Sequence, residues 1–243
     1  MNTDSLQQLT KAYGLTQRHF TLLNLGFFFE DIARRANLSR LAREVAVRTP
    51  DGNLYKLPPH VASDFLQQMY DLPSEPTLMS HLVFVASLRA ITMSIVTAVD
   101  STVVDGTSEI AAAYEADVFA GDGAVTDSFL GIARFLRNVL SHNIEDRLNV
   151  QSADFEALKN YRNSKANKFS PRMLFKYDYS DAASTIHIPG YAPNFSIVLD
   201  LNTVHVGQIL DDVLPTYQAL LFLEFCYNSL FMLNRKYGTS TAS

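Results

Sequence analysis

The segment "DSFLGIARFLRNVLSHNIEDRL", residues 127–148, decides the fold prediction because its apolar residues recur at helical spacing. On a helical wheel these side chains form one stripe, which comprises Phe129, Ala133, Leu136, Leu140 and Ile144, with Ile132 and Val139 on a flank. A stripe of this width is typical of a helix that packs one face against a hydrophobic core. The segment therefore predicts an amphipathic helix that begins after Thr126 or Asp127 and ends near Leu148.

The opposite side of this predicted helix is polar. It carries Arg134, Asn138, Ser141, His142 and Glu145, with Arg137 at the border of the apolar stripe. Asn138 and His142 are four residues apart, so their side chains are neighbours on one face. Arg137 precedes His142 by five residues, about 7.5 Å along the axis, so only the length of its side chain lets it reach back. Phe135 also falls on the outward side, where an interface suits it better than water.

Outside this helix, the pattern predicts a mainly helical chain with one small β excursion. Helical periodicity covers residues of about 15–36, 58–70, 77–104, 107–119 and 208–237. Alternating apolar residues predict short antiparallel strands within 170–206, before the last helix. The turn at residues 49–53 predicts a small hairpin between Val47 and Tyr55. We expect a single domain over 1–243, in which residues 1–75 form an N-terminal helical extension that carries the hairpin.

Composition narrows the class of protein. Hydrophobic residues make up 47% and charged residues 19% of the 243 residues, which is typical of a globular domain. A net charge of −5 argues against a protein that coats nucleic acid by bulk charge. The single cysteine, Cys226, excludes an intrachain disulfide and a zinc site built from thiolates.

The chain is expected to be cytoplasmic and not bound to a membrane. Its first residues lack the basic and then apolar pattern of an export signal. Two apolar segments, 82–99 and 219–233, are interrupted by Arg89 and by Glu224 and Asn228. Both segments therefore indicate buried core helices.

The residue types near the end of the helix suit the cleavage of RNA without a metal ion. That reaction needs a base for the ribose 2′-hydroxyl, an acid for the leaving 5′ oxygen and a cation against the phosphorane charge. Histidine transfers protons near neutral pH, and arginine offers a permanent planar charge that matches phosphate oxygens. Asn138 could fix an imidazole tautomer or hold a phosphate oxygen, and Ser141 could add a hydrogen bond. Two copies around a twofold axis would supply the two proton-transfer groups.

The string "RNVLSH" at residues 137–142 resembles the signature of the HEPN superfamily (higher eukaryotes and prokaryotes nucleotide-binding domains). That signature is an arginine followed, after four to six residues, by histidine, often with asparagine, aspartate or histidine directly after the arginine. The resemblance is strong over about 127–148 and unspecific over 77–120 and 208–237. It does not cover the first 70 residues or the β excursion.

The resemblance implies an antiparallel helical bundle and a composite site at a homodimer interface. Arg137 and His142 would carry catalysis with Asn138, supported by Ser141 and Arg134. Members of this family include metal-independent endoribonucleases of toxin–antitoxin and anti-phage defence systems, so no cofactor is expected. An antitoxin or a nucleotidyltransferase would be a partner. Other members only bind nucleotides or partner proteins, so a non-catalytic binding module is the alternative.

A basic run follows the motif. It contains Lys159, Arg162, Lys165, Lys168, Arg172 and Lys176 and no acidic residue. The run is interpreted either as a solvated loop or as a surface that binds RNA, in which case Lys159, Arg162, Lys165 and Lys168 are its contacts.

Other candidate sites have no support in the sequence. The remaining histidines, at positions 19, 60, 81, 187 and 205, lack the clustering that a metal site needs. The loop "GDGAV" lacks the lysine and hydroxyl residue of a phosphate loop. A third interpretation stays open, in which the polar face of the helix only pairs helices in an interaction protein.

Overall fold

The computed structural model describes residues 1–35, 45–48, 52–57, 78–104, 106–142, 149–154, 174–178 and 196–238. The helices are α1 (Thr3–Arg35), α2 (Leu78–Ser101), α3 (Glu109–Ala113), α4 (Gly123–His142), α5 (Leu210–Val213) and α6 (Thr216–Gly238). The strands are β1 (Val45–Arg48), β2 (Leu54–Leu57), β3 (Val103–Val104), β4 (Thr107–Ser108), β5 (Leu174–Asp178) and β6 (Ser196–Asp200). A mainly helical fold with a small antiparallel β insertion before the last helix is therefore confirmed.

The chain divides into two compact units. The first contains Met1–Phe20 and Leu88–Ser243, and the second contains Thr21–Ser87. In the second unit, β1 and β2 form an antiparallel hairpin in which Val47 pairs with Tyr55, where the sequence predicts it. The helix expected at 58–70 lies outside the described residues. The expectation of one domain with an extension over 1–75 stays a prediction.

The core of the first unit is an aromatic cluster around Phe129 of α4. The Phe129 ring lies 5.5 Å from that of Phe175 on β5, and 5.7 and 5.3 Å from those of Phe222 and Phe225 on α6. All four side chains are fully buried. Burial of each aromatic side chain stabilises the fold by roughly 1.5–3 kcal/mol. The predicted apolar stripe of α4 is thus the side that faces this cluster.

The small sheet of β5 and β6 covers one side of the cluster. Phe175 pairs with Leu199 and Tyr177 with Ile197, and these four residues are buried. Leu174, Lys176 and Val198 alternate with them on the exposed face. This period of two is what the sequence predicts for the β excursion.

Several helix boundaries differ from the prediction, and α1 begins at Thr3, not near residue 15. Helix α4 begins at Gly123, because the Asp122 carboxylate accepts hydrogen bonds from the amides of Ala124 and Val125, both at 3.0 Å. Asp122 therefore caps the helix, and Thr126 and Asp127 lie inside it. Helix α2 ends at Ser101, and the residues after it form the β3–β4 pair. The helix was predicted to reach about residue 104, whereas Gly106 occupies the turn between those strands with φ of 80°.

A π-helical turn, Tyr114–Val118, follows α3 and faces α6. The Tyr114 hydroxyl lies 3.2 Å from the Ser229 hydroxyl in the buried core. The Asp117 carboxylate accepts hydrogen bonds from Lys236 and from the Tyr237 hydroxyl, the latter at 2.7 Å. These contacts hold the last turns of α6 against the segment that leads into α4.

Candidate active site

Helix α4 exposes almost none of its central surface. Between Phe129 and Leu140, Arg137 is the one residue that is not buried. Ser141, one turn later, is half-buried as well. The motif arginine is therefore the side chain through which this part of the helix reaches solvent.

The expectation of a solvated polar face on this helix is wrong for two of its members. Arg134 and Asn138 retain only 7% and 6% of their exposed surface. Phe135, expected at a subunit interface, is fully buried in the protomer. The physical reason is that α4 is covered on its polar side too, since Arg134 is paired with Asp100 of α2. A helical-wheel projection of a single helix cannot show that a second helix covers its polar side.

The Arg137 side chain is held by the residue that follows it. Its Nε and Nη2 atoms donate hydrogen bonds to the Asn138 amide oxygen, at 3.2 and 2.9 Å. The Ser141 hydroxyl donates to the Arg137 carbonyl oxygen at 2.6 Å. The amide oxygen of Asn138 thus orients the guanidinium, and Ser141 is tied to the backbone of the helix.

The environment of Arg137 is partly desolvated and positively charged. Burial and then the charge of Arg134 lower the pKa of the Arg137 guanidinium from its usual value, and the Asp100 carboxylate opposes this change. A half-buried cation interacts more strongly with an anion than a fully solvated one does, because water screens the interaction less. The arrangement can therefore receive one phosphate oxygen or carboxylate at Arg137.

Asp100 is a site-associated residue that the sequence interpretation missed. Both terminal nitrogens of Arg134 donate to its carboxylate, and the Nη1–Oδ2 distance is 2.8 Å. Its position gave a usable signal, since an acidic residue in the last turn of a helix is disfavoured by the helix dipole. Such a residue is expected to have a cationic partner. Arg134, predicted as a supporting residue of the site, thus pairs with α2.

The remaining predicted site residues are placed only in part. His142 is the last residue of α4, and its side chain lies outside the described part of the structure. Lys159, Arg162, Lys165 and Lys168 are likewise outside it. Lys176, at the end of the basic run, is exposed on β5. Within the described ranges, no group of three or more histidine, cysteine or acidic side chains is arranged to hold a metal ion.

Replacement of Asp100 by alanine is expected to lower the free energy of unfolding by about 1–3 kcal/mol, the usual cost of removing a partner from a charged hydrogen-bonding group. The cost falls below that of a fully buried pair because the Asp100 side chain is 46% exposed. Urea denaturation followed by circular dichroism would measure it. Glu115→Ala, at an exposed carboxylate on the π-helical turn, is the matched control. Equal unfolding midpoints for the two variants would contradict a stabilising role for the pair.

Comparison of the chain with protein-family models, with curated proteins and with solved structures finds no match. Of the helices described, one segment, Val83–Ser101, is long and apolar enough to cross a membrane, and 56% of it is buried inside the protein. A buried core helix meets the same criterion.

Proposed function

We propose that this chain is a metal-independent endoribonuclease of the HEPN type that acts as a homodimer in the cytoplasm. The observation that supports the proposal most directly is the setting of Arg137. It reaches solvent from an otherwise buried stretch of α4, is oriented by Asn138, and precedes His142 by five residues on the same helix. The reaction type is proposed from the resemblance of this motif to the HEPN signature. The same resemblance suggests a role in toxin–antitoxin or anti-phage defence.

The proposed reaction is an attack of the ribose on its own phosphodiester. An imidazole removes the 2′-hydroxyl proton, the 2′ oxygen bonds to phosphorus, and the bond to the 5′ oxygen breaks. A second imidazole protonates the leaving 5′ oxygen, so that the products are a 2′,3′-cyclic phosphate and a 5′-hydroxyl. His142 of one copy and the same residue of a second copy would fill these two roles. Arg137 would stabilise the charge on the phosphorane.

The basic run would bring RNA to this site. Lys159, Arg162, Lys165 and Lys168 concentrate four positive charges in one short segment of a chain whose overall net charge is −5. Contacts of this kind bind the phosphate backbone without reading its sequence. They weaken as the salt concentration rises, because the release of counterions from the RNA then contributes less free energy. An antitoxin or a nucleotidyltransferase would restrain the enzyme until it is needed.

Incubation of the purified chain with end-labelled RNA tests the proposal. We expect fragments that end in 2′,3′-cyclic phosphate, in the same yield with and without EDTA, because the proposed groups are all side chains of the protein. A loss of cleavage in EDTA that Mg²⁺ restores would contradict the mechanism.

A non-catalytic module that binds a nucleotide or a partner protein is the second candidate. The observation that favours it is the burial of Arg134 and Asn138, which leaves Arg137 as the exposed cation of this stretch. One such cation is sufficient to bind a phosphate group. In the same experiment, retention of RNA without any cleaved product would support this candidate instead.

A further inference from the structure

A groove with a volume of about 300 Å³ lies between the first half of α1 and the second half of α2, within the first compact unit. Its floor is formed by Ala12, Ser94 and Ala98, and its walls carry Leu15 and Met93. The groove is remote in sequence from the motif of α4, and its proposed role below does not depend on the proposed nuclease activity.

The three floor residues present no polar group that a ligand would need to satisfy, and the other polar side chains of the lining are those of Gln8, Lys11, His19 and Thr97. Ala12 and Ala98 are 2% and 3% exposed. The Ser94 hydroxyl donates to the Ile91 carbonyl at 2.8 Å and lies 3.0 Å from the Thr16 hydroxyl. Because these hydrogen bonds are made inside the protein, the floor is suited to an apolar group.

The walls expose large apolar side chains. Leu15 and Met93 are 38% and 39% exposed, although both line the groove. Covering such side chains with an apolar ligand removes their surface from water and is favourable. The flexible methionine side chain can also adapt to the shape of a ligand.

Among the residues that line the groove, the side chain with a permanent charge is a cation. Lys11 lines it one turn before Leu15, and Arg18 and Arg89 stand on the two helices that form it. None of the residues that line the groove is acidic, and Asp4 and Asp100 lie beyond its ends on the same two helices. An apolar trough with a cationic rim is complementary to an apolar chain that ends in an anion.

We propose that this groove binds an unbranched monocarboxylate of medium chain length, a fatty acid. The alkyl chain lies along Leu15 and Met93 over the alanine floor, and the carboxylate pairs with the Lys11 ammonium group. Gln8, one turn earlier on α1, offers an amide group beside the same carboxylate. The volume is at the lower end of the range of ligand pockets, about 300–1,000 Å³, so a chain near ten carbons fits better than a membrane lipid.

Titration calorimetry of the full chain with decanoate, below the concentration at which it aggregates, tests this site. We expect saturable binding of one decanoate, weaker binding of decanol and no binding of decyltrimethylammonium.

Lys11→Glu should weaken decanoate binding by about five- to tenfold, the effect of losing an exposed ion pair and adding repulsion. Thr97→Trp, at an exposed position of the groove, should weaken it by roughly tenfold by displacing about two methylene groups.

The matched control is Lys176→Glu, on the exposed face of β5, which should bind decanoate as the wild type does. Circular dichroism establishes that each variant is folded, and Met93→Gln replaces Thr97→Trp if the latter is not. Three results would each overturn the proposal: no binding of decanoate, equal binding of the cationic analogue, or unchanged affinity for decanoate in the groove variants. Binding to vesicles of anionic phospholipid in the absence of binding to monomeric decanoate would also overturn it, in favour of a membrane surface.

Discussion

Replacement of His142 by alanine is expected to lower the rate of RNA cleavage by about 10²–10⁴-fold, the usual worth of acid–base catalysis. The imidazole at this position is the proton-transfer group of the proposed mechanism, and alanine removes it. The rate is measured as single-turnover cleavage of end-labelled RNA by purified protein.

His205→Ala is the control for this experiment, because His205 is an exposed histidine that does not belong to the motif. It should cleave RNA at the wild-type rate. A His142→Ala protein that is folded and fully active would remove the catalytic assignment.

Replacement of Arg137 by alanine is expected to lower cleavage by about 10²–10³-fold, the effect of deleting one group that stabilises developing negative charge. Arg137→Lys should recover only part of this loss. Lysine keeps the charge, but it lacks the planar fork that the Asn138 oxygen holds at two nitrogens. The KM for RNA should change less than kcat, because the charge on phosphorus increases in the transition state.

The control for Arg137 is Arg235→Ala, at an exposed position in the last turn of α6. Urea denaturation of both variants separates catalysis from stability, since Asn138 loses two donors when Arg137 is removed. If Arg137→Ala and Arg235→Ala cleave RNA equally well, Arg137 has no part in the reaction.

Expression of the wild-type chain should inhibit growth of the host cell, and the His142 and Arg137 substitutions should each relieve the inhibition.

Most helices and strands of this fold follow from local patterns that the sequence shows, although the first turns of α1, the β3–β4 pair and the π-helical turn were not predicted. The alternation of Phe175 and Tyr177, and of Ile197 and Leu199, depends only on the two-residue period of a strand. The cap of α3 is likewise local, since the Ser108 hydroxyl accepts a hydrogen bond from the Ala111 amide at 3.2 Å. These are interactions between residues close in the chain.

The burial of the motif helix could not be predicted in the same way. Asp100 is 34 residues from Arg134, and only their pairing allows that guanidinium to be buried. Phe135 looked external because the wheel assigns one buried face to a helix, whereas α4 is enclosed on more than one side. The hydrogen bond between Arg137 and Asn138 is local in sequence. The half-buried state of the Arg137 side chain, however, depends on the neighbouring helices.

The enclosure of α4 limits how this protein can change. Of the twelve residues from Phe129 to Leu140, eleven are buried. Mutation of a buried residue commonly lowers the free energy of unfolding by about 1 kcal/mol or more, which is roughly a tenth of the total for a typical domain. Position 137 is the exception, where a substitution alters the part of this stretch that reaches solvent. Divergence in what the helix recognises must therefore arise in the segments around it, while the helix itself stays nearly constant.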